Sequence, residues 1–158
     1  MTPRDEGTPL AAFQPDHFFL ARTTGRGLVR DLIGRLIDRC TITTQGVWDH
    51  DRGALRFDET YVYESGPTDV LRWTFVPDAQ GRMSASEASV TAPVHGWTKG
   101  LDYHLRFKRR GGPRAERLTL GYHVRFTLMR PDLALKVARI SLLGITLGEM
   151  TALHRRID

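Results

Sequence analysis

Cysteine is almost missing: Cys40 stands alone in 158 residues, which excludes an internal disulfide framework and any Cys-rich zinc centre. Lysine is scarce, with Lys99, Lys108 and Lys136 set against 20 arginines. Long apolar runs are missing as well. The longest charge-free stretch of the C-terminal part, Ile140 to Gly148, is about half the ~20 residues a membrane-spanning helix needs. No GxSxG elbow, no GxxxxGKS/T loop and no HExxH pair occurs, so serine-hydrolase, P-loop and zincin chemistry fall away. Gly25-Arg26-Gly27 is too short and too strand-like for a dinucleotide loop. No cofactor and no metal are expected: His104 and His123 fall on neighbouring strands and are within reach of each other, but a catalytic zinc wants three protein ligands. They read as exposed histidines.

The opening MTPRDEGTPLAAFQPD carries acids and prolines where a secretory signal has a basic region and an apolar core. As written, the chain reads as cytoplasmic. Residues 1–16 lack any period and are expected to form a flexible leader before one domain over 17–158. The net charge is +5, and the excess gathers in one place. Arg106, Lys108, Arg109, Arg110, Arg117 and Arg125 form a basic patch opposed only by Glu116, suited to an anionic membrane surface. Nucleic acid is not expected as a partner, because the aromatics alternate onto the apolar faces and none interleaves with the arginines.

Two-residue alternation dominates from His17 onward. Cys40, Ile42, Thr44, Gly46 and Trp48 share one face of a segment. Leu55, Phe57, Glu59, Tyr61 and Tyr63 alternate with Arg56, Asp58, Thr60 and Val62. Leu71, Trp73 and Phe75 follow, then Tyr103, Leu105 and Phe107, then Leu120, Tyr122, Val124 and Phe126. Turn clusters such as Glu64-Ser65-Gly66-Pro67 separate them, the signature of hairpins. Residues 132–143 fit a helix or a strand equally. One-sided strands joined by short turns must close on themselves, so the expected fold is all-β: a single antiparallel up-and-down barrel of about eight to ten strands.

The stretch from Phe18-Phe19 through Thr24-Gly25-Arg26-Gly27, Asp31, Gly34-Arg35, Gly46 and Trp48 resembles a bacterial family of predicted lipoproteins, domain of unknown function 3833. Asp58-Glu59, Val62-Tyr63, Trp73-Thr74, Gly144 and Gly148-Glu149 continue the resemblance, which spans residues 17 to 156. The chain is similar as a divergent member without the usual lipoprotein signal. The resemblance implies a lipocalin-like barrel. It also implies a lipid-related setting, through the lipid-modification genes that often accompany the family. It implies no assigned activity.

Glu59 is the carboxylate of most interest, since its face also carries Phe57, Tyr61 and Tyr63. A buried acid must be paired, hydrogen-bonded or protonated. With Tyr61, Arg72, Trp73, Tyr103 and Tyr122 it makes the expected ligand set of a barrel that binds a hydrophobic or amphipathic small molecule, a lipid or fatty acid. Two alternatives stand beside this. One is an isomerase or cyclase with Glu59 as acid or base and Tyr61 or Tyr122 as oxygen stabiliser. The other is a structural barrel whose interior is filled by side chains. Cys40 reads as a buried free thiol, and Gly148-Glu149 as a bulge or a close strand approach.

Overall fold

The computed structural model describes residues 10–80, 82–92 and 94–157. A short helix, α1 (Pro15–Phe18), precedes ten strands. They are β1 (Arg22–Asp31), β2 (Leu36–Asp49), β3 (Ala54–Tyr63), β4 (Thr68–Pro77) and β5 (Met83–Ser86). There follow β6 (Val94–Lys99), β7 (Asp102–Arg110), β8 (Thr119–Arg130), β9 (Leu133–Leu142) and β10 (Ile145–Arg156). Every strand pairs antiparallel with its sequence neighbours, and β1 closes onto β10 from Thr23↔Arg156 to Asp31↔Gly148. The result is the all-β up-and-down barrel that the alternation requires, closed so that no named strand keeps a free edge.

Period two decides what faces inward. On β2 the buried positions are Asp38, Cys40, Ile42, Thr44 and Gly46; on β3 they include Phe57, Glu59, Tyr61 and Tyr63. Their neighbours Arg56 and Asp58 meet water. The segment 132–143 resolves as strand β9. Both of its sides find partners, β8 and β10, and this pairing selects the two-residue period over the helical one.

The leader needs correction. Phe13, placed in it by the lack of period, is 1% exposed and stacks on Tyr103 at 5.8 Å between ring centres. Its N–H donates to the Gly100 carbonyl at 2.9 Å and its own carbonyl accepts from Thr98 Oγ1 at 3.2 Å. With Phe18 and Phe19 it forms an aromatic plug that fills one end of the barrel. A plug does not repeat, so no periodicity announces it. Residues 1–9 of the expected leader lie outside the described residues.

Gly46 lets the plug seat. A Cβ there would lie 1.7 Å from the Phe19 carbonyl oxygen. Gly148 plays the corresponding part at the other end: the β9–β10 register shifts between Thr146 and Gly148, and a Cβ would lie 2.4 Å from the Arg30 carbonyl oxygen. It is both a bulge and a close strand approach. Among the described residues no helix is long and apolar enough to cross a membrane.

Candidate functional site

The plug closes one end of the barrel, with a polar pocket of about 250 Å³ on its Phe13–Tyr103 side, and the interior toward the other end is hollow. A cavity of about 220 Å³ opens between the ends of β1, β2, β3 and the β7–β8 hairpin. Leu71, Leu105, Phe107, Tyr122, Val124 and Met150 line its wall, and Phe57 and Phe126 form its floor above the plug. Its interior is therefore not filled by side chains, but neither is it purely apolar.

A polar cluster lies in the wall. Glu59 projects inward from the middle of β3 and is 5% exposed. One carboxylate oxygen accepts from Trp73 Nε1 at 2.9 Å and the other from the Tyr61 hydroxyl at 2.6 Å. Lys136 reaches in from β9, its Nζ 3.4 Å from Glu59 Oε2, and also donates to the Tyr61 oxygen. Its ammonium sits 4.9 Å from the Tyr61 ring centre and 5.4 Å from that of Phe126. Burial by itself would raise the Glu59 carboxyl. The Lys136 charge and the hydrogen bonds from Tyr61 and Trp73 outweigh it and hold the group below the ordinary glutamate range. Tyr61 moves the opposite way, pushed well up by burial and by the neighbouring carboxylate. His154, fully buried on β10, is driven down to about 3 by burial and then by Lys136, so its ring is neutral.

Two further ion pairs brace the mouth. Arg109 donates from both terminal nitrogens to Asp69, at 2.7 and 2.6 Å, and from Nε to Ser89 Oγ at 2.9 Å. Such a two-pronged geometry suits a guanidinium and a carboxylate held away from water. Arg114 pairs with Asp38, which also accepts from Ser65 Oγ at 2.5 Å.

The expected ligand residues divide. Glu59, Tyr61, Trp73 and Tyr122 all line the cavity. Arg72 does not: it stands opposite Asp58 on the outer face, one residue out of phase with Glu59, whose cross-strand partner is Leu71. Tyr103 points inward but lies under Phe13 at the plugged end, away from the cavity. Neither Lys136 nor Asp69 is among the expected site residues, and Arg109 is expected only in the outward basic patch. Lys136 sits in the helix-or-strand ambiguity, and Arg109 reads from sequence as the start of a turn.

The basic patch is corrected in the same way. Arg106, Lys108, Arg110, Arg117 and Arg125 are exposed, whereas Arg109 is buried, because β7 continues through Arg110 and keeps its inward phase. His104 and His123 do meet, Nδ1 to Nε2 at 3.1 Å, yet they are half-buried rather than exposed. Trp97 stacks on His104 and takes the Arg106 guanidinium 5.9 Å from its ring centre. An outward aromatic therefore does interleave with an arginine, contrary to expectation, although His104 covers one of its faces. Cys40 is buried, which pushes its thiol up. No group of three or more metal-ligating side chains occurs among the described residues.

Solved structures share this architecture. The S-type phycobiliprotein lyase CPES from Guillardia theta matches with a TM-score of 0.60 at 9% identity, covering 88% of each chain. A protein of unknown function from the DUF3598 family of Nostoc punctiforme matches with a TM-score of 0.64 at 14% identity. That match covers 96% of this chain but only 53% of the other, so the present barrel spans about half of it. At such identities the likeness is one of fold. No curated protein matches the sequence. The sequence itself matches a family profile over residues 2–156, and the chain belongs to the family described as "Protein of unknown function (DUF3833)".

Proposed function

We propose that the barrel binds a hydrophobic or amphipathic small molecule, of the lipid or fatty-acid class, in the cavity at its open end. The observation that carries this is a wall of Leu71, Leu105, Phe107, Val124 and Met150 interrupted by one compact polar cluster, Glu59–Tyr61–Trp73–Lys136. An apolar pocket with a few convergent polar groups is the usual design for holding and orienting a small ligand. The ligand's polar end lies against Lys136 and Glu59, and its apolar body runs toward the mouth past Val29, Ile140 and Leu147. Binding is favoured over acid–base catalysis by the state of Glu59. Both of its oxygens are engaged and its charge is held by Lys136, so it is a poor proton donor and a weak base.

An anionic membrane surface is the partner this reading favours, given the exposed Arg110 and Arg117 at the open end of the β7–β8 hairpin, beside the cavity mouth. Native mass spectrometry of the purified protein tests the ligand reading. A co-purifying lipid-sized adduct, released by organic extraction, is the expected result. A protein that remains free of adducts after incubation with extracted lipids would contradict it.

A further inference from the structure

Both ends of the barrel carry ion-paired turns, Asp31–Arg35 among them at the open end, but they differ in the apolar side chains they expose. At the plugged end the connections carry ion pairs that face water: Asp49–Arg52, Asp78–Arg82 and Arg130–Asp132. At the open end two hairpins, β1–β2 and β9–β10, lie side by side because β1 pairs with β10. Their tips present Leu32, Ile33 and Leu143, exposed by 67%, 75% and 94%, with Ile145 beside them.

Leu143 is the most telling. It adopts φ 49° in the two-residue turn Leu143-Gly144, a conformation better suited to Asn, Asp or Gly. Hairpin geometry alone does not call for leucine there, and burial does not either. The apolar tips are continuous with the cavity, since Ile37 and Leu147 are both exposed on the rim and part of the cavity lining. Arginines stand at the same end: Arg35 in the β1–β2 turn and Arg39 further along β2, with side chains 76% and 57% exposed and paired with Asp31 and Glu64, and beside them the exposed Arg30, Arg110 and Arg117.

We propose that these two hairpin tips insert into the surface of an anionic phospholipid bilayer, so that the cavity mouth opens toward the membrane. Convex apolar points backed by arginines match a soft interface, in which leucines reach below the headgroups and guanidiniums meet phosphates. A protein partner of ordinary stability needs about 800 Å² of complementary surface on each side, which two narrow tips do not supply. This goes beyond the cavity reading by naming the docking edge. It stands whether or not the cavity holds a lipid, because docking and ligand loading are read by separate experiments.

The test is co-sedimentation of the full chain with phosphatidylcholine vesicles and with mixed phosphatidylcholine–phosphatidylserine vesicles. Three proteins are compared: wild type, the tip variant Ile33→Asp/Leu143→Asp, and the strip variant Arg106→Glu/Arg125→Glu. Asp tolerates a left-handed conformation, so Leu143→Asp keeps the turn, and an unchanged melting temperature verifies the fold. Wild type should pellet with the anionic vesicles, the tip variant should bind about tenfold or more weakly, and the strip variant should change little. Equal pelleting of wild type and tip variant, or failure of wild type to pellet, would overturn the proposal. So would loss of binding in the strip variant alone. A wild-type dimer in light scattering that the tip variant abolishes, without vesicle binding, would assign the tips to a second copy of the chain instead.

Discussion

Lys136 on β9 and Glu59 on β3 meet inside the barrel, ammonium to carboxylate at 3.4 Å, and each is 5% exposed. A buried pair of this kind is costly to break and less costly to delete whole. Lys136→Met leaves a carboxylate uncompensated in an apolar wall, and Glu59→Gln leaves an ammonium; each should lose about 3–5 kcal/mol. The double variant should fall well short of the sum, with a coupling of about 2 kcal/mol or more by urea unfolding. Additive losses would show that the two charges do not depend on one another.

Arg109 and Arg106 lie three residues apart but differ in phase. Arg109→Ala strands the buried Asp69 carboxylate and should cost about 3–5 kcal/mol, whereas Arg106→Ala, on the outside, should cost about 0.5 kcal/mol or less. Equal losses in denaturant titrations would contradict the inward placement of Arg109.

His154 gives the barrel an acid sensitivity. In the fold its pKa is brought down to about 3, first by burial and then by Lys136, while an unfolded histidine titrates near 6.5. Between those values the unfolded chain holds a proton that the folded chain lacks. Stability is therefore lost as pH falls below about 6.5, by up to about 1.4 kcal/mol per unit, and is unaffected above it. His104 and His123 are also lowered, by burial first, and add in the same direction. Glu59, lowered overall by Lys136 and its hydrogen bonds against the opposing effect of burial, adds a further loss below the ordinary glutamate range. From about pH 7.5 to about pH 5 the wild type should lose about 2 kcal/mol more than His154→Leu. Identical pH profiles would refute a neutral buried His154.

Gly46→Ala forces a methyl group onto the Phe19 carbonyl oxygen, and backbone cannot swing aside as a side chain can. We expect a loss of about 2 kcal/mol or more and faster proteolysis near Phe13 as the plug lifts. A melting temperature equal to wild type would show that the plug is not seated against β2.

Most of the fold was legible from period two, because each long strand buries one face and each connection is a short turn. The phase of Glu59, Tyr61 and Trp73 was readable for the same reason, and so was the buried thiol of Cys40. What escaped does not repeat or depends on register. Phe13 anchors the plug through single contacts, so it left no pattern. Arg72 can meet Glu59 only if the register puts both on one face, which the sequence does not specify, and the register pairs it with Asp58 instead. Lys136 was hidden in a segment where helix and strand periods coincide, and only pairing on both sides settles it. Arg109 looked like part of a basic turn, and a charge that continues a strand inward shows itself only once its partner Asp69 is known.

The proposed ligand site is the cavity above the plug. Ala138 is 5% exposed in its wall, and Ala138→Phe should fill much of that space without touching the outer surface. The direct measurement is a fluorescence titration of delipidated wild type and Ala138→Phe with a dansyl-labelled fatty acid. Saturable binding to wild type is expected, displaced by unlabelled fatty acid and weakened about tenfold or more by the filled cavity. Undiminished binding to a folded Ala138→Phe, or none to wild type, would contradict it.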